Sequence, residues 1–65
     1  MTHVKKPRAP AGAARAELHR ELSLAADAAH DADDALTRDD AEALDRATVV
    51  LLGHALAARS LAGHA

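Results

Sequence analysis

Ala47-Thr48-Val49-Val50-Leu51-Leu52-Gly53-His54-Ala55-Leu56-Ala57-Ala58 is the one near-continuous apolar run in this chain. On a helix each residue advances about 100°. Leu44, Ala47, Thr48, Leu51, Ala55, Ala58 and Ala62 then form one stripe, with Val49, Leu52 and Leu56 to one side of it and Val50, His54 and Leu61 to the other. The resulting non-polar arc is about 260° wide, against about 100° for a helix that buries a single face. One neighbouring helix cannot cover it, so the run predicts a helix with several neighbours.

Length and composition lead the same way. A chain of 65 residues has room for one small domain, and a core of that size rarely contributes more than about 3–5 kcal/mol. Cysteine and aromatic residues are both absent. Disulfides and thiolate metal sites are thereby excluded, as is a core filled by large rings. Self-association is the remaining means of burying more surface. The apolar residues are mostly alanine and leucine with few β-branched ones, which favours helix over sheet. The expected fold class is all-α.

The apolar run is about a dozen residues long and a membrane span needs about 20, so no transmembrane helix is expected. Lys5, Lys6 and Arg8 near the start are followed by no hydrophobic h-region. The expected location is cytoplasmic.

Taken in order, residues 1–9 carry that basic charge and Pro7 with no apolar periodicity, and are expected to form a flexible arm. Pro10 suits the first turn of a helix. From there Ala11, Ala14, Leu18, Leu22, Ala25, Ala29, Ala32 and Leu36 recur at spacings of three and four, a stripe that packs one helix along another. A first helix is predicted over about 10–36. Thr37, followed three residues later by Asp40, reads as a variant capping box opening a second helix near Arg38, with Asp39, Asp40 and Glu42 in its first turn. This second helix is expected over about 38–62, stopping at Gly63. Gly53 falls on its polar back. Two such helices joined by a short turn make an antiparallel hairpin. The wide arc of the second then predicts a homodimer forming a four-helix bundle, with a tetramer as the larger alternative.

Charge supports an antiparallel assembly. Residues 1–20 carry a balance of +4, residues 21–46 of −7 and residues 47–65 of +1. In a hairpin the acidic block lies at the turn and the basic block at the open end, so antiparallel pairing sets opposite charges side by side. Asp31, Asp33 and Asp34 oppose the dipole at the end of the first helix. They imply a role in solubility, in meeting the partner's basic arm or in binding an external ligand, or else a first helix that stops early, near His30.

Three groups of residues could carry chemistry. Asp27, His30, Asp31 and Asp34 share one helix face and have ligand types suited to a divalent cation, although that face points away from the leucine stripe. His54 stands inside the apolar arc, where charging a buried imidazole on acidification would weaken the assembly, and His19 falls at a similar height in the hairpin. Lys5, Lys6, Arg8, Arg15 and Arg20 could contact nucleic-acid phosphates, but the net charge is −2 and no aromatic residue is available to stack on bases.

Ser23 and Ser60 are lone helical serines, and no Gly-rich turn could shape an oxyanion hole. The sequence therefore predicts a non-enzymatic interaction module without a cofactor: an adaptor, a regulator or the accessory subunit of an enzyme. Its partners would be a second copy and another protein. Its contact surface would comprise Leu44, Val49, Val50, Leu51, Leu52, His54, Leu56 and Leu61. The alternatives are a nucleic-acid-binding regulator using the basic arm and a divalent-metal-binding bundle.

Overall fold

A computed structural model describes residues 12–63 of the chain. The basic arm, with Lys5, Lys6 and Arg8, and the expected helix start at Pro10 lie outside the described residues. Two helices account for nearly everything else: α1 over Gly12–Thr37 and α2 over Ala41–Gly63, packed against each other along their length. Neither helix is long and apolar enough to cross a membrane.

The seam follows a regular alternation of four and three. On α1 it comprises Ala14, Leu18, Glu21, Ala25, Ala28, Ala32 and Ala35, and on α2 Leu44, Ala47, Leu51, His54, Ala58 and Leu61. This is the heptad pattern of helices lying side by side. It corrects the predicted α1 stripe, because Leu22, Ala29 and Leu36 are exposed and the adjacent residues Glu21, Ala28 and Ala35 face α2 instead. The physical reason is the turn. Only Arg38, Asp39 and Asp40 separate the helices, which holds the backbones close together there, and methyl side chains fit that gap where isobutyl groups would push the helices apart. Accordingly the buried residues are Ala28, Ala32, Ala35 and Ala58, with no large side chain fully buried among the described residues.

The turn is built by two interlocking caps. Asp40 N–H donates to Ala35 C=O at 2.9 Å and Asp39 N–H to Leu36 C=O at 3.1 Å, the pair of bonds that defines a Schellman end for α1. Asp39 supplies the left-handed residue this end requires, at φ 58°. Asp40 then caps α2: its Oδ1 accepts the Ala43 N–H at 3.0 Å, and its C=O accepts the Leu44 N–H at 2.9 Å. Thr37 is not that cap. It ends α1, its hydroxyl donating back to Asp33 C=O at 3.0 Å, and α2 starts later than expected because the left-handed residue must come between the two helices. The alternative in which α1 stops near His30 is likewise corrected. Continuing to Thr37 brings Arg38 to Asp34, Nε donating to Oδ2 at 3.0 Å, with Nη1 3.5 Å from Asp40 Oδ2. Part of the acidic run thus has a local use, although such exposed pairs contribute only about 0.2–1 kcal/mol each.

Two expected results follow from the turn. Asp40→Ala leaves the first donors of α2 uncapped and should cost about 1 kcal/mol, seen as a lowered urea midpoint at unchanged slope. Asp39→Gly removes the side-chain penalty of the left-handed conformation. Offset by glycine's greater freedom in the unfolded chain, it should raise stability by about 0.5 kcal/mol. A fall in the midpoint on Asp39→Gly would be incompatible with a left-handed residue at this position.

Candidate interaction surface

His54 and Glu21 are the polar residues within the seam. His54 comes from the middle of the apolar run and Glu21 from the position between Leu18 and Ala25 on α1. Nδ1 of the ring lies 2.6 Å from Glu21 Oε1, and the two side chains are 31% and 16% exposed respectively. An ionised carboxylate can only accept, so Nδ1–H donates and Nε2 is left for solvent or a further partner. The contact sets the register of the hairpin. A one-turn slip would leave a largely buried carboxylate without a donor.

This partner changes the reading of His54 in two respects. His19 does not join it: His54 turns to Glu21, while His19 is exposed beside a shallow recess that it lines with Arg15, Leu18 and Leu22. The ring also faces a carboxylate at 2.6 Å, and not the purely apolar surroundings that its place in the sequence implied. Glu21 could have been suspected from the sequence, as a carboxylate at a seam position facing a histidine. The leucines at positions 22 and 36 drew the stripe one residue aside.

The other candidate groups do not converge. Asp27, His30, Asp31 and Asp34 are all exposed along α1, and Asp34 is taken up by Arg38. No three His, Asp or Glu side chains come together to hold a metal ion among the described residues. Arg15 is exposed and Arg20 pairs with Glu17 at 3.6 Å, while Lys5, Lys6 and Arg8 lie outside the described residues. A widely open recess of about 380 Å³ runs beside the turn between Asp31, Asp34, Arg38, Arg46 and Val50. It holds no grouping of nucleophile and base.

The predicted contact residues divide into two sets. Leu44, Leu51, His54 and Leu61 are partly buried against α1, whereas Val49, Val50, Leu52 and Leu56 are about half exposed or more. Leu22, Leu24 and Leu36 of α1 are exposed as well. The hairpin thus covers one side of α2 and leaves Val49, Val50, Leu52 and Leu56 outside. Gly53 interrupts nothing, since α2 runs continuously through it, and an added Cβ there would meet only open space.

These features define a class of fold, an alanine-seamed antiparallel helical hairpin with an aliphatic exterior. Comparison with protein-family models, with curated proteins and with solved structures finds no match to this chain.

Proposed function

We propose that this protein is a small, non-enzymatic interaction module whose hairpins dimerise into a four-helix bundle, and that the assembly serves another protein as adaptor, regulator or accessory subunit. One observation carries the reading: seven large apolar side chains are exposed, while among the described residues the buried ones are all alanines. Fully burying a leucine or valine is worth about 1.5–3 kcal/mol, whereas an alanine methyl contributes about 0.8 kcal/mol. Much of the hydrophobic free energy available to this sequence is therefore still unused in the single hairpin. An apolar exterior of this kind marks a surface that meets another protein. The opposite charge of the turn and the open end favours antiparallel partners.

The direct test is mass in solution by sedimentation across a concentration series. A dimer at micromolar concentration is expected, with helicity and melting temperature rising with concentration as mass action requires. A stable, helical monomer at micromolar concentration overturns the reading.

A further inference from the structure

We propose that α2 pairs back to back with the α2 of a second copy, antiparallel, about a two-fold axis at Leu52, with Asp45 of each copy meeting Arg59 of the other. This proposal rests on the self-association argued above and specifies its geometry. On the side of α2 turned away from the seam, Asp45, Val49, Leu52, Leu56 and Arg59 recur at spacings of four and three, and all five are exposed. They form a second heptad stripe of the kind that pairs helices. Its polarity is self-complementary. Asp45 and Arg59 stand seven residues to either side of Leu52, one acidic and one basic, with an aliphatic residue between each of them and the centre.

Such a stripe identifies its own occupant. A two-fold axis perpendicular to the helix at Leu52 carries Asp45 onto the level of Arg59 and Val49 to within one residue of Leu56, so both ends close with opposite charges and the centre with aliphatic contacts. Parallel pairing would instead set Asp45 against Asp45. Neither Asp45 nor Arg59 makes an ion pair within the hairpin among the described residues. In this pairing the two α2 helices form the centre and the two α1 helices the outside, an open row of four helices in place of a closed bundle.

The chain contains no cysteine, which makes cross-linking a clean test. A residue on the two-fold axis faces its own copy, so Leu52→Cys is expected to give a disulfide-linked dimer under mild oxidation. Val50→Cys, exposed but off the stripe, should stay largely unlinked. Asp45→Arg and Arg59→Asp should each weaken the dimer by about tenfold, and the double exchange should restore it to within about threefold. If the native chain is a dimer but Leu52→Cys links no faster than Val50→Cys and the double exchange restores nothing, this pairing is wrong while self-association stands. If the native chain is monomeric throughout, both fall.

Discussion

Replacing Ala35 by leucine is expected to melt the hairpin at room temperature. Ala35 is fully buried, with 0% exposure, on the last turn of α1, where its own C=O accepts the Asp40 N–H that closes the Schellman end. The three-residue turn leaves the backbones no freedom to separate at this level, so three added carbon atoms must displace either the cap or the seam. Overpacking of this kind costs about 1–3 kcal/mol, and more where the surroundings cannot yield. A core of this size contributes only about 3–5 kcal/mol. Loss of most of the helical circular dichroism is therefore expected. Leu36→Ala at the next residue, on an exposed leucine, should leave the melting curve nearly unchanged. Equal effects at the two positions would show that the seam does not run where it is described.

His54→Ala is expected to destabilise the hairpin by about 2 kcal/mol, and Glu21→Ala by roughly half as much. The asymmetry follows from burial. Removing the ring strands a carboxylate that is only 16% exposed, whereas removing the carboxylate leaves a ring that is 31% exposed and can reach water. The double variant should be less destabilised than the sum of the two singles, because the second deletion removes the group that the first left unpaired. Replacing both by leucine should be neutral or stabilising, as is common when a buried polar pair gives way to aliphatic packing. The register would then lose its polar marker. These changes would be read from urea midpoints of the four variants at one protein concentration, so that self-association does not enter the comparison. Strict additivity of the single changes would mean that the 2.6 Å contact contributes nothing to stability.

The contrast between Leu36 and Ala35 shows where a reading of the chain succeeds and where it goes astray. Alanine and leucine in excess, the absence of cysteine and aromatic residues, and the breaks around residues 37–40 are enough for two helices and a turn. They do not select the seam. Two neighbouring stripes on α1 have almost the same spacing, one richer in leucine and one richer in alanine, and hydrophobicity by itself prefers the first. Packing chose the second, because a short turn rewards small side chains on facing helices more than greasy ones. The same preference placed Glu21 inside and left Leu22 out.

The cap was misplaced for a related reason. Thr37 and Asp40 fit a capping pattern as well as Asp40 alone does. Only the backbone path, with Asp39 in the left-handed region, shows that α1 continues through Thr37 and that a single aspartate serves both helices. A left-handed residue is readily suspected at a glycine and easily overlooked at an aspartate.

By itself, then, the sequence determined an all-helical hairpin, since composition and apolar periodicity act locally and leave no competing secondary structure. It also determined that α2 carries more apolar surface than one neighbour can cover, since the width of an arc follows from residue order alone. The tertiary structure decided which residues cover which. It put alanines and the Glu21–His54 pair in the seam, placed one aspartate at the shared cap, and left the stripe from Asp45 to Arg59 facing outward. Those outcomes depend on the distance between two backbones, and that distance is set by the turn and by side-chain volume acting together across the molecule.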